Sequence, residues 1–562
     1  MMRLTRPLMG LALSLALVAC KPDTAPDPVA PAADQKITVY TGGTIYTGNP
    51  AEPVVDAVVV GADGRILGTV PPLSADWSED EITLVDLHGG FMFPGFTDAH
   101  AHLLGIGQRE LMLNLEGTAS VDELVTRIEA ELQDKAPGEI LYGRGWIETG
   151  WPEGRMPSAA DLDAVSPDNP VILTRADGHA LVANTAALKA ADIYDITGDP
   201  PGGHVERGDD SRATGIVIDN AMTPVLQLIS EPGEADILKA LEVGAGTYVS
   251  RGWTGAHNMS VAKGQAPLLK KLDDEGRMPL RLYNAYDENA FEIAEKHLYE
   301  TDTIRNRAVK LYMDGALGSR GALLIEPYSD RPETSGLELL ETSSLHNLMM
   351  QAKEKHVQLA IHAIGDLANR HILETFEELG YGPDLRWRIE HTQILAPEDI
   401  AWVAKDGLIA SMQPSHAIGD LHFAPARLGM DRLAGAYAWK SLIDDGAVVA
   451  GGSDAPVEVG SPLIEFYAAV ARKDLQGFSG EGWHPEEALS REQALALFTS
   501  AAAYAAFMED DLGTIEAGKM ADFTVFDRDL MTVPEADILG AKAMMTVVAG
   551  EIVYDARSAR GE

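Results

Sequence analysis

Two histidines end the run Phe93-Pro94-Gly95-Phe96-Thr97-Asp98-Ala99-His100-Ala101-His102. Because side chains alternate across a strand, His100 and His102 are expected to point to the same side. Two neutral imidazoles fixed on one face at the end of a buried strand are half of a divalent-metal site. An isolated pair is more often a coincidence, so the prediction requires further ligands from elsewhere in the chain.

Apolar strands alternate with amphipathic helical segments over roughly residues 91–510, a pattern that predicts a parallel sheet. Several of these strands contain or end in a polar residue: Lys310, His362, His391 and Asp454. His362 and His391 are one strand–helix unit apart. The number of units favours a closed eight-stranded barrel, in which the carboxyl ends of the strands converge and bring these residues together.

The interval from His102 to Lys310 is longer than barrel units require, which predicts an inserted cap at about residues 142–222. Short β-type runs separated by glycine turns occupy residues 37–90 and 511–556. We expect these ends to form one composite β-sandwich domain. The predicted fold class is therefore α/β, a TIM-like (β/α)8 barrel with a small β-sandwich domain and an inserted cap.

The chain has 562 residues and a formal net charge of −42, from 86 acidic and 44 basic side chains. Phosphate binding requires basic surface, so this balance argues against nucleic acid as a partner. A solvated acidic surface is the simpler interpretation. The oligomeric state is open, and a homo-oligomer is among the alternatives.

The single cysteine, Cys20, excludes an intrachain disulfide. A positive start and an apolar stretch precede Leu17-Val18-Ala19-Cys20, which resembles a bacterial lipobox. The resemblance implies a signal peptide over residues 1–19, acylation of Cys20 and a flexible tether over residues 20–36. We therefore expect an exported, periplasmic or cell-envelope protein that meets the membrane only through this lipid anchor. A plain secretory signal and a short anchor helix are the alternatives.

The chain resembles the amidohydrolase superfamily of metal-dependent hydrolases, and most closely the amidohydrolase family 3 group that includes N-substituted formamide deformylases. The resemblance covers nearly all of residues 37–556. It rests on the runs Pro94-Gly95-Phe96-Thr97-Asp98-Ala99-His100-Ala101-His102, Val309-Lys310-Leu311-Tyr312-Met313-Asp314-Gly315-Ala316-Leu317-Gly318-Ser319-Arg320, His362-Ala363-Ile364-Gly365-Asp366, Glu390-His391, Gly452-Ser453-Asp454 and Gly513-Thr514-Ile515-Glu516-Ala517-Gly518-Lys519-Met520-Ala521-Asp522-Phe523.

The resemblance implies two divalent metal ions in the barrel. His100, His102 and Asp454 would bind the buried ion, and His362 and His391 the outer ion. Lys310 would bridge both as a carbamate formed with CO2, because an ammonium has no lone pair and would repel the ions. Zinc is the expected metal, although imidazole and carboxylate also suit manganese, iron and cobalt. A one-metal site is the main alternative.

The implied activity is hydrolysis of a carbon–nitrogen bond in a small-molecule amide, N-formyl or N-acyl substrate by metal-activated hydroxide. Asp454 would act as general base and then as general acid toward the leaving amine. A cyclic-amide or ester hydrolase on the same barrel is the first alternative. A binding or regulatory lipoprotein without catalysis is the second.

Six further residues are predicted to contact the substrate, and four of them have a structural alternative. His179 would face the metals, and Arg320 would hold a substrate carboxylate. The remaining four would line the pocket: Trp146, Trp151, Gln413 and His416. The alternatives are a structural cap residue for His179, a surface arginine for Arg320, and ordinary cap core for the two tryptophans.

Overall fold

The computed structural model describes residues 37–69, 82–133, 135–148, 150–175, 180–200, 202–229, 232–480 and 483–558. The predicted signal peptide, Cys20 and the tether lie outside this described part, as does His179. Within the described residues, no helix combines the length and apolar character that a membrane span needs.

The strands fall into three sheets. In chain order they are β1 (Ile37–Tyr46), β2 (Val54–Val60), β3 (Ile66–Gly68), β4 (Ile82–Asp86), β5 (Phe91–Pro94), β6 (Phe96–Ala101), β7 (Leu113–Asn114), β8 (Leu141–Trp146), β9 (Val171–Arg175), β10 (Ala180–Ala183), β11 (Gly203–Arg207), β12 (Ala213–Asp219), β13 (Trp253–Val261), β14 (Arg281–Tyr286), β15 (Ile304–Tyr312), β16 (Gln358–Ala363), β17 (Arg388–His391), β18 (Ile409–Met412), β19 (Val449–Gly451), β20 (Phe523–Phe526), β21 (Ala543–Val548) and β22 (Glu551–Asp555).

The α-helices mostly connect consecutive barrel strands. They are α1 (Leu103–Leu111), α2 (Val121–Leu132), α3 (Ala159–Asp163), α4 (Thr185–Ala190), α5 (Thr223–Leu226), α6 (Glu234–Arg251), α7 (Ala266–Asp274), α8 (Phe291–Lys296), α9 (Thr342–Glu354), α10 (Asp366–Glu378), α11 (Ile400–Asp406), α12 (Pro414–Asp420), α13 (Ala424–Leu428), α14 (Trp439–Asp444), α15 (Pro462–Ala471), α16 (Arg491–Phe498), α17 (Ser500–Ala505) and α18 (Glu535–Ile538).

The central sheet is a nearly closed parallel barrel of eight strands, in the order β19-β18-β17-β16-β15-β14-β13-β6. Most residues of these strands are buried, because helices cover the outside of the barrel and side chains fill the inside. Helix α10 shows how the outer layer packs, since Ala368, Ile372, Leu373 and Phe376 form its buried stripe. The predicted parallel barrel is confirmed.

A buried carboxylate joins the first and last strands of the barrel. Asp98 on β6 accepts hydrogen bonds from the backbone N–H groups of His100 and Ser453, at 3.0 and 2.9 Å. Its other oxygen accepts from Ser453 Oγ at 2.6 Å and from the Tyr248 hydroxyl at 3.0 Å. A Cβ at Gly452 would lie 2.4 Å from His100 N, so this close approach requires glycine. The seam therefore fixes His100 and Asp454 next to each other.

The two ends of the chain contribute to one eight-stranded sheet. Its order is β22-β21-β20-β5-β1-β2-β3, with β4 paired to β1. Strand β5 extends the N-terminal part of this sheet to Pro94, beyond the predicted limit at residue 90. Its division into the two layers of a sandwich stays a prediction.

The insertion between α1 and α6 contains the third sheet, in the order β11-β12-β10-β9-β8-β7. This sheet begins at Leu113, before the predicted start of the cap near residue 142. The first strand, β7, has two residues and pairs in parallel with β8. A two-residue strand has too little alternation to be recognised in sequence.

Candidate metal centre

A cavity of about 420 Å³ opens at the carboxyl ends of the barrel strands. All six predicted metal ligands line it: His100, His102, Lys310, His362, His391 and Asp454. They come from five separate parts of the sequence and meet because parallel strands end at the same face of a barrel.

The tightest group of donor atoms belongs to His100, His391 and Asp454, whose ligand atoms all lie within 4.8 Å of one another. His102 Nε2 lies 3.1 Å from Asp454 Oδ1. Lys310 Nζ lies 3.4 Å from His100 Nε2. The His362 ring is 4.5 Å from the His391 ring, measured between centroids. The group His100, His391 and Asp454 thus combines two predicted ligands of the buried ion with one of the outer ion, His391.

His100 is oriented by a buried carboxylate. Its Nδ1 donates a hydrogen bond to Glu390 Oε2 at 2.6 Å, and both side chains are fully buried. Glu390 is in turn held by Arg388 through contacts of 2.7 and 3.1 Å. Burial by itself would raise the pKa of Glu390, but Arg388 and the hydrogen bond from His100 hold that pKa well below its usual value. An ionised Glu390 keeps the proton of neutral His100 on Nδ1 and leaves the Nε2 lone pair toward the cavity.

His391 and His102 are oriented in the same way as His100, but their hydrogen-bond acceptors are uncharged. His391 Nδ1 donates to Gln413 Oε1 at 2.8 Å, and His102 Nδ1 donates to the Met259 carbonyl at 3.1 Å. A neutral imidazole has one N–H, so Nε2 of each ring carries a lone pair. Burial lowers the pKa of His391 well below its usual value and that of His100 to about 3, with nearby positive groups adding to the effect.

Two of the clustered residues have left-handed backbone conformations. His391 has φ of +76° and Asp454 has φ of +58°. Alternation along β17 places Arg388 and Glu390 on one side, so a regular strand would direct His391 to the other. The backbone of a non-glycine residue adopts positive φ at a cost of about 1–3 kcal/mol, and such strain is concentrated at functional sites.

A divalent cation fits this donor set. The Nε2 lone pairs of His100 and His102 lie 3.4 and 3.1 Å from Asp454 Oδ1, which is also electron-rich. Asp454 is itself buried beside these rings. Among the described residues, His362 Nε2 is buried without a hydrogen-bond partner. Imidazole lone pairs that converge on a buried carboxylate are the environment of a bound cation.

Lys310 is almost completely buried on β15. Burial lowers its pKa to about 8, against the opposing influence of Glu390 and Asp454. A larger fraction of this side chain is therefore a neutral amine near neutral pH than in an exposed lysine. That is the form that can add CO2, so the environment suits the predicted carbamate.

The predicted substrate residues fall into three groups. His416 lines the cavity, with its ring 6.0 Å from that of His391 between centroids. Gln413 is buried and supports His391 rather than lining the cavity. The Arg320 guanidinium is held by Asp330 at 2.7 and 3.0 Å and does not line the cavity, so its contact with a substrate carboxylate stays a prediction. His179 lies outside the described residues.

Trp146 and Trp151 belong to the core of the cap. Both are buried in the same apolar cluster, and neither lines the cavity. Their indole N–H groups donate to the carbonyls of Leu173 and Thr118, at 2.8 and 2.7 Å. Both rings bury the cap's own sheet, which favours the alternative of ordinary cap core.

Asp314 has a role that the sequence did not reveal. It accepts hydrogen bonds from the backbone N–H groups of Leu323, Ile364 and Gly365, at 2.8–3.0 Å. Its Oδ1 lies 3.4 Å from His362 Nε2. Asp314 thus fixes the loop that follows β16 next to His362. Asp314 and Glu390 both lie within the quoted motifs, which was the only available signal.

Comparisons with known proteins identify several that this chain resembles. A model of the amidohydrolase family matches residues 83–554. The protein YtcJ of Bacillus subtilis (strain 168) is 33% identical over 525 residues, covering 92% of this chain and 99% of that protein. The N-substituted formamide deformylase of Arthrobacter pascens is 28% identical over 519 residues, covering 88% and 93%. A metal-dependent hydrolase of Pyrococcus furiosus superimposes with a TM-score of 0.72 at 30% identity, covering 88% of this chain and 100% of that one.

Proposed function

The chain belongs to the amidohydrolase family of metal-dependent hydrolases, and on that premise we propose that it hydrolyses a non-peptide carbon–nitrogen bond in a small amide, with N-formyl and N-acyl amines as the substrate class. The observation that carries this proposal is the set of imidazoles around Asp454, each oriented by a separate acceptor. The similarity to a protein named as an N-substituted formamide deformylase supports the choice of bond.

The proposed centre holds two divalent ions, with zinc as the expected metal. His100, His102 and Asp454 would bind one ion, and His362 and His391 the other. Lys310 would bridge them after its neutral amine adds CO2 and releases a proton, which gives a carbamate anion. When bound, such ions polarise a carbonyl and activate water at neutral pH.

Asp454 performs the proton transfers in this proposal. As a carboxylate, it can accept the proton that water loses when its oxygen bonds to the amide carbon. The same proton then passes to the amide nitrogen as the C–N bond breaks. The nitrogen leaves as a neutral amine and the carbonyl fragment leaves as a carboxylic acid, so atoms and charges balance.

We further propose that the chain is exported and anchored to the cell envelope through Cys20. The lipobox-like run and the apolar stretch before it support this proposal. Mass spectrometry of the protein purified from a bacterial host tests it. A mature chain that begins at an acylated Cys20 is expected, and an unprocessed Met1 would contradict the proposal.

The activity is tested with the full-length chain in detergent, loaded with zinc and assayed against N-formyl amines, N-acyl amines, cyclic amides and esters. Turnover of the open-chain amides is expected, with a loss of about 10²–10⁴-fold in Asp454→Asn and no comparable loss in the exposed control Glu354→Gln. Turnover of cyclic amides or esters alone would contradict the proposed bond class. Zinc binding without any turnover, or no zinc binding, would contradict the proposed catalysis.

A further inference from the structure

Two carboxylates line the active-site cavity away from the metal ligands. They are Asp420, at the end of α12, and Glu458, in the loop after β19. We call this pair the acidic wall. Apolar side chains of Leu317, Phe423 and Val457 line the same cavity.

The acidic wall has carboxylate oxygens without hydrogen-bond partners among the described residues. The Asp420 Oδ2 atom accepts hydrogen bonds from the Tyr437 hydroxyl and, at 3.5 Å, from Gln393. Among the described residues, no hydrogen bond reaches Asp420 Oδ1 or either side-chain oxygen of Glu458. Within the same part of the chain, no lysine or arginine forms an ion pair with either carboxylate.

His416 supplies a second, independent observation. It is 9% exposed and lines the cavity, yet neither of its ring nitrogens has a hydrogen-bond partner among the described residues. Its Nε2 lies 3.6 Å from Asp454 Oδ2 and 3.9 Å from Glu458 Oε1. A buried imidazole without partners indicates that a polar ligand completes this part of the cavity.

The position of His416 also limits the spacing between the metal centre and the acidic wall. His416 Nε2 approaches both Asp454 Oδ2 and Glu458 Oε1, so these two oxygens are no farther apart than the sum of the two distances. A group bound at Glu458 therefore lies only a few bonds from a carbonyl held beside Asp454.

We propose that the acidic wall binds a cationic nitrogen of the substrate, so that the preferred substrates are amides whose amine part carries an ammonium or guanidinium group on a short apolar chain. This inference rests on the proposed function and specifies its substrate class. Charge-assisted hydrogen bonds to carboxylates are the strongest that a cation can form. The carboxylates provide acceptors, and the apolar side chains contact the intervening methylenes.

Two further properties agree with a cationic ligand. Burial, together with neighbouring acidic groups, raises the pKa of Glu458, and burial also raises that of Asp420. A cation between them would offset this cost of holding negative charge out of water. The net charge of −42 also attracts cations to the protein and repels anionic substrates.

The test compares two substrates of matched shape, N-acetyl-1,5-diaminopentane, which is cationic, and N-hexylacetamide, which is neutral. The measured quantity is the ratio of their kcat/KM values, cationic over neutral. The wild-type ratio is expected to be about 10–100, the value of one or more charge-assisted hydrogen bonds. It should fall about tenfold in Glu458→Gln and in Asp420→Asn, and it should stay at the wild-type value in Asp431→Asn, an exposed acid outside the cavity.

Binding of pentylammonium and of neutral 1-pentanol, measured by calorimetry on the zinc-loaded protein, is the second readout. Tighter binding of the cation that is lost in Glu458→Gln would support the acidic wall. This holds even if neither amide is hydrolysed, because the absence of hydrolysis would contradict only the proposed function. A wild-type ratio near one together with equal binding of the two ligands would overturn the inference. So would an equal loss of kcat/KM for both substrates in Glu458→Gln.

Discussion

Replacing Glu390 by glutamine is expected to weaken both the metal centre and the barrel that holds it. Glu390 accepts the His100 Nδ1–H and is the ionic partner of Arg388 within a fully buried group. The substitution removes the charge but preserves the shape, so any effect reports on electrostatics rather than on packing.

The size of the effect follows from these contacts. Breaking one side of a buried ion pair costs about 3–5 kcal/mol. Arg388 keeps hydrogen bonds to the Ala99 carbonyl and to Ser411 Oγ, at 2.6 and 2.8 Å, so we expect a loss near 3 kcal/mol. Loss of the carboxylate that orients a metal-binding histidine typically lowers metal affinity by about 10–100-fold.

The assays are urea unfolding of the metal-free protein and competition for zinc with a chelator of known affinity. Glu354→Gln, an exposed acid at the end of α9, is the matched control and should change the unfolding free energy by less than about 0.5 kcal/mol. If Glu390→Gln bound zinc as tightly as the wild type and unfolded like the control, the role assigned to Glu390 would be refuted.

Three other outcomes are expected. Gln413→Ala should lower zinc affinity about 10-fold by freeing the His391 ring, as measured by chelator competition; unchanged affinity would contradict this role. In the metal-free protein, burial and the Lys310 charge lower the pKa of His100 to about 3, so the unfolded chain binds its proton first as pH falls through about 6.5. The unfolding free energy should therefore decrease by about 2 kcal/mol between pH 6.5 and 5, as measured by urea unfolding. An unfolding free energy that increased over this interval would contradict the prediction. Trp146→Ala should lower the unfolding free energy of the cap by about 3–5 kcal/mol while KM stays near the wild-type value. A change in KM without a loss of stability would indicate that Trp146 contacts the substrate.

The barrel was predictable because its strands are apolar and end in polar residues. His362, His391 and Asp454 stand out against such neighbours, and strand–helix spacing places them at one face. The first residue of the cap could not be predicted, because β7 has two residues and is a strand only through its pairing with β8.

Supporting residues were harder to predict than ligands. Glu390 and Arg388 are charged residues in a short strand, and nothing in the sequence distinguishes a buried pair from an exposed one. The acidic wall comes from a helix and a loop after two different strands, so no spacing rule relates Asp420 to Glu458. The two tryptophans of the cap could not be assigned from the sequence, because aromatic residues near an insertion suit both a pocket wall and a core.

The central claim is that side chains from five parts of the sequence form one centre for two divalent ions, with Lys310 between them. Its most direct test is the number of zinc ions per chain, measured by mass spectrometry of the elements in the wild type, in Lys310→Ala and in Glu354→Gln. The account predicts two ions in the wild type and the control, and one or none when Lys310 is replaced. Two ions retained in Lys310→Ala would contradict it.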